Sequence, residues 1–226
     1  MKAGNFTYKD LNDIPAVVPV FPLSAALLLP GSQMPLNIFE PRYLAMCDAA
    51  LKTNRLIGMV QPVFSGDIGS KENPNLCKVG CLGRIVSFTE SGDGRYLINL
   101  QGVSRYRIIE EVSAKTPFRQ CRIAAFAHDL SSQSNNGDDV NRDELLETFR
   151  LYLDANDLEA DWENVNKAGN ESLVNALSVM SPYGPAEKQA LLEAPDLKSR
   201  ADTLIALTQI ALARDADGDE YAQTLQ

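Results

Sequence analysis

The hydrophobic pattern of this 226-residue chain changes its period near residue 131, and this change limits the possible fold more than any other feature. Before it, apolar residues form short runs typical of strands, broken by Gly, Pro and Asn. After it, they recur every three or four residues, as in helices that bury one face. The polar segment 131–141, SSQSNNGDDVN, separates the two patterns. Strands followed by helices predict an α+β fold.

The strand-like runs and the helical stripes give the domain boundaries that we predict. Seven runs lie at 14–29, 34–39, 56–64, 78–90, 96–101, 104–112 and 118–127, with one early helix from Pro41. They indicate a small sheet that is closed or nearly closed. Helical stripes follow within 145–153, 173–180, 185–193 and 197–212. We expect a β subdomain at 14–127, a linker at 128–141 and a helical bundle at 142–213.

The stretch 21–43, FPLSAALLLPGSQMPLNIFEPRY, predicts a strand, a turn, a second strand and the start of a helix. Pro30 and Gly31 form the turn, because proline fixes φ and glycine accepts a positive φ. Pro35 has no N–H for a ladder, which indicates an edge strand or a strand start. Proline at 41 fits the first turn of a helix. One face of that helix, which we expect to be buried, then carries Phe39, Tyr43, Met46, Cys47 and Ala50.

Three stretches of the chain resemble the Lon N-terminal domain, the substrate-binding domain of the ATP-dependent protease Lon. They are FPL…LLPG…PLNIFEPRY within 21–43, VGCLGRI at 79–85 and GRYLINLQGVSRYRI at 94–108. The resemblance implies a PUA-like β-barrel with one early helix, followed by an α-helical bundle subdomain. Because this sequence carries neither the phosphate loop of the ATPase nor a Ser–Lys protease module, we expect a free-standing bacterial form of this domain that is not an enzyme.

Most motif residues of these stretches have structural roles in our interpretation. Gly102 indicates a bulge or a sharp bend in its strand. Glu40 is favourable beside a helix N-terminus, and Arg42 pairs with it or with another acid, although the two could instead form a recognition pair. The residues to which we assign structural roles are Pro22, Gly31, Phe39, Glu40, Arg42, Tyr43, Gly80, Gly83, Gly102 and Arg105.

Charge is divided unevenly along the chain. Residues 1–126 carry 14 basic and 10 acidic side chains, whereas residues 127–226 carry 7 and 20. An acidic chain disfavours nonspecific nucleic-acid binding, although a local basic patch on the first half remains an alternative. Four arginines of that half could bind carboxylates or phosphates. We prefer the alternative that they face the acidic helical half: Arg84, Arg95, Arg105 and Arg107.

The sequence offers no catalytic or metal-binding constellation, and we predict no catalytic residue, no metal and no cofactor. It contains no G-x-x-x-x-G-K-[ST] loop to hold a phosphate. His128 is the only histidine, so neither a triad nor a typical zinc site can be assembled around it. Cys77 and Cys81 form a single C-x3-C pair, and the strand around Cys81 favours a small buried apolar role.

Candidate residues for binding polypeptide lie in the first turn and strand. Pro30, Met34 and Leu36 surround the turn, where Gly31 gives mobility and Met34 offers an adaptable thioether. We expect Pro30 and Pro35 to prevent regular strand pairing there. Phe64, at the base of the polar loop 65–75, could form the opposite wall. The alternative is that Met34 and Phe64 are ordinary core residues.

The function that we predict is a non-enzymatic recognition module, and the alternative is an RNA-binding PUA-like module. The resemblance implies unfolded or partly folded polypeptides as partners, with a protease or a chaperone as a further partner. Nucleic acid and membranes are not expected partners. No signal-peptide core follows Lys2, and no apolar run reaches the ~20 residues of a membrane span, so we expect a cytoplasmic protein.

Overall fold

The structure, a computed structural model, describes residues 1–63, 74–131, 137 and 139–224, and from 215 onward the backbone alone. The chain forms two compact units. The first combines Met1–Gln133 with Tyr183–Leu192, and the second combines Ser134–Pro182 with Glu193–Gln226. Strands dominate the first unit and helices the second, which confirms the predicted α+β class.

The elements follow the predicted order of strands and then helices. The strands are β1 (Lys2–Ala3), β2 (Phe6–Thr7), β3 (Val17–Pro22), β4 (Gln33–Ile38), β5 (Leu56–Pro62), β6 (Leu76–Glu90), β7 (Tyr96–Val112) and β8 (Gln120–Ala125). The helices are α1 (Pro41–Leu51), α2 (Ala127–Leu130), α3 (Arg142–Ala155), α4 (Trp162–Lys167), α5 (Asn170–Met180), α6 (Pro185–Glu193) and α7 (Leu197–Thr224). A 3-10 turn spans Leu11–Asp13. None of the helices in the described part of the chain is both long and apolar enough to span a membrane.

Six strands form one sheet in the order β4-β7-β6-β5-β3-β8. Strand β8 pairs not only with β3 but also with β7. The second pairing closes the sheet, because the long β7 binds β4 with its first half and β8 with its second half. Only the β3–β5 pair is parallel among these pairings. Inside the closed part lies a core whose members include Val18, Val20, Leu56, Val60, Leu82, Val103, Tyr106, Cys121 and Ile123.

Strand β4 lies at the end of the strand order, as Pro35 indicated. Our prediction that Pro30 and Pro35 prevent regular pairing here is wrong, since β4 pairs with β7 from Gln33 to Ile38 and Pro35 lies opposite Asn99. An edge strand tolerates proline because the N–H that it lacks can be the one directed away from the partner strand. The β4 backbone is therefore held in register along its whole length.

The predicted turn at Pro30 and Gly31 is confirmed. Gly31 has a φ of 81°, and the Ser32 N–H donates to the Leu29 carbonyl at 3.0 Å. The turn packs against Gly102, where any Cβ would overlap the Leu29 carbonyl oxygen. The β6–β7 register also shifts beside Gly102, so the predicted irregularity is confirmed. Hydrogen bonds between Gly31 and Gly102 and between Gly102 and Ser32 join the turn to β7, and the mobility that we expected from Gly31 stays a prediction.

Two glycines of the central strands make room for Tyr106. A Cβ at Gly58 would lie 2.6 Å from the Tyr106 hydroxyl oxygen, and a Cβ at Gly80 would lie 2.5 Å from it. That hydroxyl donates to the Met59 carbonyl at 3.1 Å, so the buried phenol keeps a hydrogen-bond partner. The structural role assigned to Gly80 thus has a steric cause, and Gly83 has a similar one beside Leu28 and Leu100.

A buried ion pair joins α2 and α6 to the sheet. The Arg105 guanidinium donates through Nε and Nη2 to the Asp129 carboxylate, each at 2.9 Å, with side chains only 4% and 5% exposed. Nη1 of Arg105 also donates to the Leu192 carbonyl at 3.3 Å. Helix α6, which the sequence analysis placed in the helical subdomain, belongs to the first unit except for its last residue.

Further contacts between α6 and the sheet come from glutamine side chains. Nε2 of Gln61 donates to the Pro185 carbonyl at 2.9 Å and to Oε1 of Gln189 at 3.1 Å. Nε2 of Gln189 donates to the Val79 carbonyl at 3.1 Å. Because these amides are buried, their mutual pairing removes the cost of unsatisfied polar groups and fixes α6 on the sheet.

The second unit consists of α3, α4, α5 and α7. The predicted stripe on α7 is confirmed at Ala201, Leu204, Ile205 and Thr208, which are all buried. The stripe predicted on α5 is partly wrong, because Met180, its last residue, is 79% exposed. Arg142 ties three segments of this unit by donating to the Asn170 side chain and to the Val165 and Asn166 carbonyls.

Candidate functional site

A cleft of about 810 Å³ opens on the first unit, and residues from five parts of its chain line it. The end of β3 contributes Val20, Phe21, Pro22 and Leu23. The β4–α1 segment contributes Leu36, Asn37, Phe39, Glu40, Arg42 and Tyr43. The end of β5 contributes Pro62, and Pro74 lies just before β6. The end of β7 and its connection to β8 contribute Glu111, Val112, Ser113, Ala114, Thr116, Pro117, Phe118 and Arg119.

The base of the cleft is apolar and aromatic. The Phe21 and Tyr43 rings pack with their centroids 4.2 Å apart, and both residues are less than a tenth exposed. Tyr43 is on the buried face of α1, together with Met46, Cys47 and Ala50, as the sequence predicted. Burial raises the pKa of the Tyr43 phenol, so the ring stays neutral at physiological pH.

The rim carries Phe39, for which our prediction of a buried structural residue is wrong. Phe39 is 62% exposed, because the helix begins at Pro41 and Glu40 before it has an extended backbone with a ψ of 134°. The spacing from Phe39 to Tyr43 is therefore not a helical spacing. The guanidinium of Arg95 lies 5.9 Å from the Phe39 ring centroid. A large exposed ring at the edge of an apolar cleft is a ready contact for a ligand.

Two arginines line the cleft, and each is held by a glutamate. Arg42 donates through Nε and Nη2 to Oε2 of Glu40 at 2.9 and 2.8 Å, and its guanidinium lies 4.6 Å from the Tyr43 ring centroid. Arg119 donates to both carboxylate oxygens of Glu111. This bonding lowers the pKa of Glu111, so the pair stays ionised at neutral pH. The charges of the cleft are therefore balanced in pairs.

The structure brings together only part of the binding site that the sequence predicted. Leu36 lines the cleft, while Pro30 and Met34 are absent from its lining. Both are half-buried, Pro30 in the turn and Met34 in β4. Phe64 lies outside the described residues, as does most of the loop 65–75. These four positions stay a prediction.

The remaining candidates have partners that the sequence did not identify. Arg84 donates to the Asn54 carbonyl at 2.7 Å, and Arg95 pairs with Asp93 at 3.1 Å. Arg84 and Arg95 are thus each bonded to groups of the first unit, and our preference that they face the acidic helical half stays a prediction. His128 is exposed on α2. Cys81 is buried and Cys77 half-buried, and the described residues form no group of three or more metal-ligating side chains.

Sequence reasoning missed the segment 111–119, which supplies much of the cleft. Glu111 and Arg119 are eight residues apart, at the end of β7 and just before β8. Their pairing requires the β7–β8 hairpin to bend back, and no local motif marks this. An acid near the end of one predicted strand and an arginine near the start of the next were the available signal, but many such pairs occur on surfaces without function.

The fold and the cleft define an α+β domain with a closed sheet and an attached helical unit. A family model, the ATP-dependent protease La (LON) substrate-binding domain, matches residues 17–209. The chain therefore belongs to the Lon substrate-binding domain family, as the sequence motifs implied. Two solved structures share the fold at 19% sequence identity. They are a Lon N-terminal domain protein from Xanthomonas campestris (TM-score 0.61, covering 84% of this chain and 97% of that one) and the N-terminal domain of a Mycobacterium avium complex Lon protease (0.62, 85% and 98%).

Curated relatives are full Lon proteases. Lon protease 2 of Myxococcus xanthus is 28% identical over 205 residues, which cover 86% of this chain and 24% of the relative. The Lon protease of Anaeromyxobacter dehalogenans is 26% identical over 205 residues, covering 86% and 23%. This chain thus spans about a quarter of the length of these relatives.

Proposed function

We propose that this protein is a non-enzymatic recognition module that binds apolar segments of unfolded or partly folded polypeptides in the cleft between β3, the start of α1 and the segment 111–119. The observation that carries the proposal is the exposed Phe39 ring beside the buried Phe21–Tyr43 pair. Such a surface can gain free energy from apolar side chains of many sequences without fixed hydrogen-bond partners.

Charge balance supports the same choice of ligand. Because Glu40 and Glu111 each hold an arginine of the cleft, the site neither requires a charged ligand nor strongly repels one. Membership of the Lon substrate-binding family agrees with a recognition role. As part of this proposal, the protein acts in the cytoplasm, performs no chemistry itself, and passes its client to a protease or a chaperone.

RNA binding, the alternative from the sequence, gains no specific support from the structure. Arginine and lysine side chains supply many of the contacts to phosphates. In the first unit Arg84, Arg95, Arg105, Arg119 and Arg122 each bind a carboxylate or a carbonyl of the protein. RNA binding is therefore treated as one possible result of the binding experiment described next.

The proposal is tested by fluorescence anisotropy with labelled, reduced and carboxymethylated lactalbumin, which stays unfolded, and with a labelled single-stranded RNA. Phe39→Ser and Leu36→Ser should weaken lactalbumin binding about fivefold to tenfold, because burying part of a large apolar side chain contributes on the order of 1 kcal/mol. Leu97→Ser is the matched control, since Leu97 is 49% exposed and does not line the cleft. It should bind as the wild type does.

Three results would contradict the proposal. They are no binding of lactalbumin by the wild type, equal affinity of the Phe39 variant and the Leu97 variant, or tight binding of the RNA alone. Met34→Ser and Phe64→Ser belong in the same series, because they test the site that the sequence predicted. Weaker binding in those two variants together with unchanged binding in Phe39→Ser would move the site to the Pro30–Leu36 region.

A further inference from the structure

Arg119 connects three separate segments at the cleft. Its backbone carbonyl accepts from the Val20 N–H of β3 at 2.9 Å. Its Nε and Nη2 donate to the Glu111 carboxylate at the end of β7, at 2.7 and 2.6 Å. Its Nη1 donates to the Pro74 carbonyl, which precedes β6, at 2.6 Å. All four residues line the cleft, so the contacts of one residue fix the positions of several lining segments.

The arrangement uses what is particular to arginine. A planar guanidinium can bind both oxygens of one carboxylate and, with its remaining donors, a carbonyl in another direction. A lysine ammonium at the same place is a single point charge on a flexible stem. The Arg119 side chain is only 18% exposed, so its three polar contacts are partly shielded from water and their geometry is fixed.

A neighbouring ion pair, between β7 and β8 themselves, provides a natural comparison. Arg122 of β8 pairs with Glu110 of β7 at 2.8 Å, and their side chains are 50% and 60% exposed. Glu110 and Glu111 are adjacent, so their side chains leave opposite faces of β7. Neither Arg122 nor Glu110 lines the cleft. Both are arginine–glutamate pairs, but only the pair of Arg119 and Glu111 lines the cleft.

We propose that Arg119 is the positioning residue of the cleft, holding the 111–119 segment and Pro74 at a fixed distance from β3 so that the apolar site is preformed. The proposal rests on the proposed function, since it concerns the affinity of that same cleft. A preformed site binds more tightly because less conformational entropy is lost when the ligand arrives. Arg119 need not contact the ligand to have this effect.

The test compares Arg119→Ala, Arg119→Lys and Glu111→Gln with Arg122→Ala in the full chain. Lactalbumin affinity is measured by anisotropy, folding by circular dichroism, and the 111–118 amides by hydrogen exchange. Arg119→Ala should weaken binding about threefold to thirtyfold, the range expected of residues that act on a site through packing. Arg119→Lys should bind lactalbumin almost as weakly as Arg119→Ala does, and Glu111→Gln should also bind weakly. In all three variants the amides of 111–118 should exchange their hydrogens faster than in the wild type. Arg122→Ala should bind as the wild type does.

A double-mutant cycle with Phe39→Ser separates positioning from a merely structural role. If Arg119 acts through the shape of the cleft, its loss should cost less affinity when Phe39 has already been replaced, so the two effects are not additive. Additive effects, or full binding by a folded Arg119→Ala variant, would overturn the proposal. If Phe39→Ser itself binds as the wild type does, the proposed function fails instead, so the two failures are distinguishable.

Discussion

The ring of Phe21, at the end of β3, packs against the ring of Tyr43, in the first turn of α1, with centroids 4.2 Å apart. This contact joins the closed sheet to the early helix and at the same time forms the base of the cleft. The residues that build the site are thus also residues that hold the fold. Variants at the exposed rim are therefore better probes of binding than variants at the base.

The Tyr106 pocket predicts a sharp difference between two glycines. Gly80→Ala should destabilise the protein by about 1–3 kcal/mol or more, because the new methyl group would meet the Tyr106 hydroxyl and the Met59 carbonyl in a packed core. Gly92→Ala is the control, since no atom lies within 4 Å of a Cβ there. Urea unfolding monitored by circular dichroism measures both. Equal stability of the two variants would refute the steric explanation.

The Arg105–Asp129 pair predicts a large effect of a single carboxylate. Asp129→Ala should reduce the free energy of unfolding by about 3–5 kcal/mol, because it leaves a buried guanidinium without its counter-charge. The exposed pair of Arg122 and Glu110 provides the comparison, and Glu110→Ala should cost about 0–1 kcal/mol. Chemical denaturation at neutral pH gives both values. A small effect at Asp129 would mean that the pair does not anchor α2.

The lowered pKa of Glu111 predicts that the free energy of unfolding depends on pH in the acidic range. Its pKa is lowered chiefly by the Arg119 hydrogen bonds, so the pair stabilises the folded state fully above the ordinary glutamate pKa of about 4.3. The contribution is lost as the pH falls through the lowered pKa of the folded state. The difference in unfolding free energy between wild type and Glu111→Gln should therefore be constant near neutrality and disappear in acid. A difference that persists unchanged at pH 2 would contradict this origin.

The lowered pKa of Lys188 predicts a second pH dependence of stability, in the alkaline range, with the same sign as that of Glu111. Burial on α6 lowers its pKa to about 8 from the ordinary 10.5, because desolvation disfavours the ammonium. The unfolded chain then binds more protons between these two values, so stability should rise with pH across that interval. Relative to Lys188→Met, the wild type should therefore gain free energy of unfolding between pH 8 and pH 10.5, as measured by urea unfolding at several pH values. A difference between the two proteins that stays constant across this interval would contradict the lowered pKa.

Local signals in the sequence were sufficient for much of the fold. The change of period gave the α+β class, and Pro30 with Gly31 gave a turn whose geometry the structure confirms. Proline at 41 marked the first residue of α1. Each of these features depends on the conformational preferences of a few adjacent residues, which a sequence displays directly.

Features that depend on distant partners were predicted poorly. Phe39 was assigned to the helical face, because the spacing alone could not show that Glu40 keeps an extended backbone. The cleft wall around Arg119 requires β7 to reach both β4 and β8, which no local pattern encodes. Helix α6 is held to the sheet by buried glutamine amides as well as by buried leucines. Polar anchoring of this kind leaves little trace in hydrophobic periodicity.

Site-specific photo-crosslinking tests the central claim most directly. A benzophenone amino acid is placed at position 39 in one variant and at position 97 in another, and each is irradiated with carboxymethylated lactalbumin. Residue 39 is at the rim of the cleft, whereas residue 97 is similarly exposed outside it. We expect crosslinked lactalbumin from position 39 and little from position 97. Equal crosslinking at both positions, or crosslinking at position 97 alone, would contradict the assignment of the cleft as the polypeptide-binding site.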